Sequence, residues 1–392
     1  MSLSSARNSS SSWTFVTLVS ASLVAASAAA CGDDDGTGGA GATGGSGGAE
    51  AGAPPVGGAG GQPTTGGGGQ GGDANGGGGN TTDGGGGEGG GCVTSLPVLG
   101  NDLPALLSET GLYADIDTDT VADYVRAFEP KYPLWSDGAE KRRWIYIPEC
   151  SQIDTTDMDT WQLPVGTRVW KEFTRDGIRV ETRIITRTGP GDIDYEFGTY
   201  VWDDSGDAVL TDEGLENANG TEHDVPPKTL CTTCHRTQWR ILGFSALQLT
   251  HNLPGETIAS LSDEGLLTVP NPDGIVVPGD EATQAALGYM HGNCGNCHYA
   301  AGIPNISMHL RLLSTMTSVE TTETYVTAVN QPTTMFPCNG CDRIEPGNAA
   351  ASAVIQRMGV RGAGQMPPIA TELVDDPAVT AVTNWINSLP AQ

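Results

Sequence analysis

Two pentads in this chain have residue types and spacing that can do chemistry: Cys231-Thr-Thr-Cys-His235 and Cys294-Gly-Asn-Cys-His298. Each holds two thiols with two residues between them and a histidine directly after the second. C-x-x-C-H is the spacing by which a c-type haem is attached. The thiols add across the porphyrin vinyl groups as thioethers, and the histidine reaches the iron as an axial ligand. One helical turn then presents both sulfurs to one edge of the ring, and the imidazole falls beneath its centre. Other uses of paired thiols fit less well. Zinc-binding pairs stand about 12–20 residues apart, far closer than Cys234 and Cys294. A disulfide hairpin or a thioredoxin-like redox pair has no use for His235 or His298. The expectation is two covalently attached haems c, with Cys231, Cys234, His235, Cys294, Cys297 and His298 as their attachment and ligand residues.

The amino terminus reads as export, into a compartment where such attachment happens. Arg7 is the only basic residue before Cys92, and an apolar run from Trp13 to Ala30 ends in small residues. Charge, length and cleavage-site character describe a signal peptide over 1–30 rather than a retained spanning helix. Ala28-Ala29-Ala30-Cys31 resembles a bacterial lipoprotein box, which implies a lipidated Cys31 and a membrane tether. Ordinary secretion with cleavage nearby is the alternative. Gly32, not Asp, follows Cys31, so a simple inner-membrane retention signal is missing. The outer membrane is favoured over the inner, with the protein periplasmic or surface-exposed. Residues 32–91 hold 31 glycines. Such a stretch buries too little apolar surface to offset its ordering entropy, so 31–91 is expected to be a disordered leash. Its ends should lie about 40 Å apart.

Nine cysteines divide into Cys31, four haem thiols, and Cys92, Cys150, Cys338 and Cys341. In an oxidising compartment the last four should pair. Asp342 rather than His follows Cys341, so that pair is no third haem site. Proximity and the even count suggest disulfides Cys338–Cys341 and Cys92–Cys150.

Past the leash the fold class is α+β. Residues 92–225 read as β: Arg143 to Pro148, Thr167 to Phe173, Ile178 to Ile185 after the Arg175-Asp-Gly177 turn, and Tyr195 to Trp202. Short strands with turns between them suggest a small sandwich or barrel. Their Trp and Tyr residues read as core and cross-strand packing, with a glycan or ligand platform as the alternative. From 226 helices with Pro-Gly breaks are expected, 226–279 as the first haem segment and 280–392 as a mainly helical domain around the second. There Asp280 to Met290 reads as a capped helix leading into Cys294. Gly362-Ala-Gly-Gln-Met366-Pro-Pro368 is a loop holding a thioether. Asp376-Pro377 offers an N-cap and first-turn proline to a last helix whose buried stripe is Val379, Val382, Trp385, Ile386 and Leu389. This order of parts resembles a class I cytochrome c domain over about 280–389. On that order His298 is the proximal ligand and Met366 the distal one, a pairing that raises the reduction potential. At the first pentad His235 is proximal, and Arg240 to Leu249 is an apolar helix or turn against the ring. His251, just beyond, is a candidate distal ligand. His223, His291 and His309 are weaker ones, and an open sixth position is the other reading.

Longer stretches carry a further resemblance. They are Tyr132-Pro-Leu-Trp-Ser-Asp-Gly-Ala-Glu-Lys-Arg-Arg-Trp144, Ile241-Leu-Gly-Phe244 after the first pentad, Asn293 before the second, Ile344-Glu-Pro-Gly347, Met366-Pro-Pro-Ile-Ala370 and Trp385-Ile386. Over roughly 130–389 the chain resembles a family of bacterial envelope dihaem c-type cytochromes, departing from it at Pro226-Pro227. The resemblance implies two covalent haems and a redox role, and names neither substrate nor partner.

The formal charge is −28, and residues 92–392 hold 18 basic against 40 acidic residues. Nucleic acid, whose phosphates such a surface repels, is excluded as a partner. A basic redox partner, steered with salt-sensitive on-rates, suits it. The plainer alternative is a charge that keeps an exported protein soluble. Electron transfer is the leading expectation. A haem peroxidase or oxidase using an open iron is the enzymatic alternative, although nothing in the sequence marks a general acid or base beside such a site. A binding module formed by the β region, with the haem region attached, is the third.

Overall fold

Strands joined by tight turns build the first half of the computed structural model, which describes residues 93–236, 240–336, 338 and 340–391. The expected signal peptide, Cys31, the glycine-rich leash and Cys92 lie outside the described residues. A hairpin of β1 (Tyr113–Asp115) and β2 (Thr120–Val121) precedes a six-stranded antiparallel meander. The meander runs in the order β3 (Arg126–Ala127), β4 (Glu140–Tyr146), β5 (Arg168–Arg175), β6 (Ile178–Arg187), β7 (Tyr195–Trp202) and β8 (Ala208–Thr211). This differs from the expected sandwich or barrel. Every reversal joins sequential neighbours, so no connection crosses over to carry a strand into a second stacked sheet. Asp176 and Gly177, at φ 53° and 78°, close the β5–β6 hairpin. Positive φ at both positions gives the turn whose twist matches that of the strands.

Alternation along the strands sorts the side chains onto two faces. Trp144, Tyr146, Trp170, Ile184, Tyr200 and Trp202 pack with Leu107, Leu112 and Tyr113 on one face. On the other, Ile145 and Val169 belong to a larger core shared with Leu247, Leu287, Val382 and Trp385. The described residues therefore pack as one unit, and the packing does not part at 225 or 279.

The second half holds α1 (Cys231–Cys234), α2 (Ile258–Asp263), α3 (Glu281–Asn293), α4 (Glu323–Ala328), α5 (Ala353–Met358) and α6 (Asp376–Ser388). Only α3 and α6 reach 13 residues, and turns outweigh helix between them. Frequent prolines and glycines, such as Pro278-Gly279 and Pro346-Gly347, cut the helical runs short. Residues 240–249 form turns, not a helix, although Leu247 and Leu249 still enter the core. Asp280 caps α3 by accepting the Thr283 N–H at 2.9 Å. Asp375, not Asp376, caps α6, accepting from Ala378 N–H at 3.1 Å. Ala378, Val382, Trp385 and Ile386 are buried, Val379 and Leu389 partly so, and the helix packs on α3. Among the described residues no helix is long and apolar enough to cross a membrane.

One close approach ties the halves together. Gly288 and Gly292, a turn apart on α3, face Tyr132; a Cβ at 292 would lie 2.5 Å from the Tyr132 carbonyl oxygen, and one at 288 would enter its ring. Asn293 then accepts the Trp135 N–H at 2.7 Å and donates to the Pro133 carbonyl at 3.2 Å. The Tyr132–Trp135 segment is thereby fixed at the end of the helix that delivers the second pentad.

Candidate functional site

The first pentad begins in the single turn of α1, and the His235 N–H closes that turn on the Cys231 carbonyl at 3.0 Å. Its imidazole Nδ1 donates to the Arg240 carbonyl at 2.5 Å, and Arg240 answers by donating to the His235 carbonyl at 2.8 Å. Nε2 is left without a partner among the described residues. The ring lies 5.6 Å from that of Phe197 on β7. Burial, reinforced by Lys171, Arg183 and Arg240, pulls the His235 pKa down to about 4. The imidazole is therefore neutral at pH 7, the form that binds metal. Cys231, Cys234 and His235 open onto a cavity of about 210 Å³ between the sheet and α3.

The second pentad continues directly from α3. The Cys294 N–H reaches the Met290 carbonyl at 2.8 Å, and the His298 N–H reaches that of Cys294 at 2.9 Å. His298 Nδ1 donates to the Met308 carbonyl at 3.1 Å, so Nε2 is again the unengaged nitrogen, and burial lowers its pKa. Cys294, Cys297, His298 and Met366 line one cavity of about 710 Å³. The Met366 loop is held from several sides. Met366 N–H donates to the Arg357 carbonyl at 2.9 Å, and Gln365 Nε2 donates to the Pro367 and Thr371 carbonyls at 3.0 and 3.1 Å. Asp137 accepts from Glu372 and Leu373 N–H at 3.0 and 2.9 Å. Met308, Met335 and Met358 line the same cavity, which spacing in the sequence did not single out.

The two cavities share thin walls. Gly292 and Asn296 line the first, while Asn293, Cys294 and Cys297 line the second. Ile369 and Ala370 face the first, and Met366 to Pro368 the second. Cys234 and Cys297 interact across this partition, which raises the Cys234 pKa and lowers that of Cys297. Burial raises Cys231 and pushes Cys294 up to about 12, so both stay thiols at neutral pH. None of the four is disulfide-bonded.

The remaining histidines are engaged elsewhere. His251 is not brought to the first cavity: its Nε2 donates to the Glu129 carbonyl at 2.6 Å, and its Nδ1 accepts the Leu253 N–H at 3.0 Å. Both nitrogens are thus engaged with backbone, away from the Cys231–His235 pentad. His291 lines the first cavity, but its Nδ1 accepts the Leu312 N–H at 3.0 Å, which places the proton of the neutral ring on Nε2. His223 pairs with Glu181 at 2.7 Å, and His309 Nδ1 lies 3.8 Å from Glu323. Cys338 and Cys341 are disulfide-bonded to each other. Cys150 is disulfide-bonded as well, and its expected partner Cys92 lies outside the described residues.

Sequence reasoning passed over the cations of the first cavity. Arg143, Lys171, Arg183, Arg240 and Arg311 all line it. The signal was available in the strands: Arg143, Lys171 and Arg183 share the inward parity of Ile145, Val169 and Ile185. Among the described residues no group of three or more His, Cys, Asp or Glu is arranged to hold a metal ion directly. A metal already held by a macrocycle asks the chain for only one or two donors. No protein-family model, curated protein or solved structure matches the chain.

Proposed function

We propose that this chain is a dihaem c-type cytochrome of the bacterial cell envelope that passes electrons between a redox partner and an acceptor. One observation carries the reading. In both pentads the histidine gives its Nδ1 proton to a backbone carbonyl, Arg240 at the first and Met308 at the second, and keeps Nε2 free. Metal-ligating histidines are oriented in this way, since the outer hydrogen bond selects the tautomer and stiffens the ring.

The donor set fits the group. Each pentad offers two unpaired thiols and a neutral imidazole to its cavity, and the second cavity adds the Met366 thioether. Cys231 and Cys234 would hold one haem with His235 as ligand; Cys294 and Cys297 would hold the other, with His298 and Met366. Haem supplies one-electron redox chemistry when bound. The chain orients the two imidazoles, lines the cavities with Phe197, Phe336 and the Met366 loop, and sets the two pentads on either side of one thin wall. That wall favours rapid exchange between the sites, which is what a relay needs. The acidic excess favours a basic partner, and Cys31 would provide the membrane tether.

Pyridine haemochrome assay and intact mass of protein matured in a host with a haem-attachment apparatus test the reading. The expected result is two haems per chain, falling to one in either Cys231→Ala or Cys294→Ala. Colourless protein of apoprotein mass overturns it.

A further inference from the structure

Three basic side chains stand side by side across the sheet. Arg143 on β4 is directly opposite Lys171 on β5, which is directly opposite Arg183 on β6. Like charges in register destabilise a sheet. This chain has only 19 basic residues against 47 acidic ones, so a row of three on one face calls for a reason. Two of the three already have carboxylates: Arg143 meets Glu129 at 2.8 Å and Arg183 meets Glu181 at 2.5 Å. Lys171, in the middle, has no ion pair among the described residues; its amine lies over the Phe173 ring at 4.6 Å. Burial, followed by the flanking Arg143 and Arg183, pushes its pKa well below the usual lysine value, a penalty that a bound anion would relieve. The row lines the first cavity beside His235, with Arg240 and Arg311 on other walls and Asp159 and Asp192 as the acids there.

The same cavity lacks a second donor of the usual kind. No methionine lines it, and of its two histidines His291 has its Nδ1 committed to the Leu312 N–H. A cationic, ligand-poor cavity beside an imidazole with a free Nε2 is suited to an incoming anion.

We propose that the first cavity binds a small inorganic anion, with Lys171 as its principal contact and Arg143 and Arg183 as flanking charges. The inference rests on the haem reading, because among the described residues lining the cavity only His235 offers a free imidazole nitrogen and no methionine is present. It makes the first site the place where an exogenous ligand meets the protein.

The test is a titration of the ferric holoprotein with azide, and separately with nitrite, followed by absorbance. The expected result is saturable binding at one of two haems, weakened about tenfold or more in Lys171→Gln and restored to within a few-fold in Lys171→Arg. Lys171→Met provides a second uncharged variant should Lys171→Gln fail to fold. Three outcomes overturn the inference while leaving two haems in place. Neither anion perturbs the spectrum. Lys171→Gln turns a low-spin haem high-spin, which makes Lys171 an iron ligand. Or anions do not bind while Lys171→Gln lowers one midpoint potential, which makes the row a partner of the porphyrin carboxylates. A chain without covalent haem overturns this inference together with the reading beneath it.

Discussion

The two pentads obey one spacing rule, yet their surroundings are unlike. The first is set against a β-sheet, across a cavity of about 210 Å³ lined, among the described residues, by four arginines, one lysine and no methionine. The other is set against short helices and a proline loop, across a cavity of about 710 Å³ that four methionines line. The same pentad spacing thus meets one pocket rich in basic residues and one rich in thioethers. The difference teaches that the pentad settles where a haem would be fastened, whereas the wall opposite settles what it would do. On the proposed reading, the second site is closed by a protein ligand and suits transfer, and the first is left accessible.

The largest expected effect falls on that contrast. If the proposed reading holds, replacing Met366 with Ala should remove the distal thioether of the second haem alone. One midpoint potential should fall by about 0.1 V or more, a fraction of the ~0.8 V range that axial ligands set, and the other should stay in place. Spectroelectrochemical titration reads both at once. Met335 lines the same cavity but is 77% exposed, so Met335→Ala should leave both potentials unchanged. If Met335→Ala produces the drop and Met366→Ala does not, the loop has been assigned the wrong role.

The next effect tests whether the two sites belong to one structure. Trp385 on α6 is 1% exposed and sits in the core that also contains Ile145 and Val169 from the sheet. Trp385→Ala should cost about 3–5 kcal/mol. Because that core spans both sites, denaturant unfolding followed at the sheet and at the helices should shift together. Separate transitions would show the β region to be an independent module and would revive the binding-module reading.

Legibility in the sequence divides along contact range. Cys294 to His298, the α3 helix that leads into them, and the Met366 loop are local patterns of cap, spacing and turn. Trp144 and Trp170, read as packing residues, are buried in the sheet's aromatic core. The joining of Asn293 to Pro133 and Trp135 was not legible, nor was the meeting of Cys234 with Cys297, because no local period links residues so far apart in sequence. The placement of His251 was hidden for the same reason. That residue follows the first pentad closely in the chain, yet its ring is spent on the backbone of Glu129 and Leu253. The cation row was half-legible: strand parity placed each residue inward, but only the register put them side by side.

The smallest effect concerns His291, which belongs to the helix of the second pentad but lines the cavity of the first. It is buried, and burial together with Arg311 lowers its pKa from the usual 6.5 to about 3. Between those values the unfolded chain binds a proton that the folded chain refuses, so stability is full above about pH 6.5 and declines as the pH falls. At pH 5 the loss from this one group should be about 2 kcal/mol. In protein lacking haem, His235 titrates in a similar window, being lowered to about 4, so the comparison is made against His291→Gln in the same background. Glutamine can still accept the Leu312 N–H through its carbonyl oxygen but has no proton to gain in this range. Urea midpoints measured at pH 7 and pH 5 should therefore lie closer together in His291→Gln than in the parent chain, with the remaining gap left to His235. Equal separation in both would place the acid sensitivity elsewhere, on the first pentad's own imidazole, and would make the two cavities less interdependent than their common wall suggests.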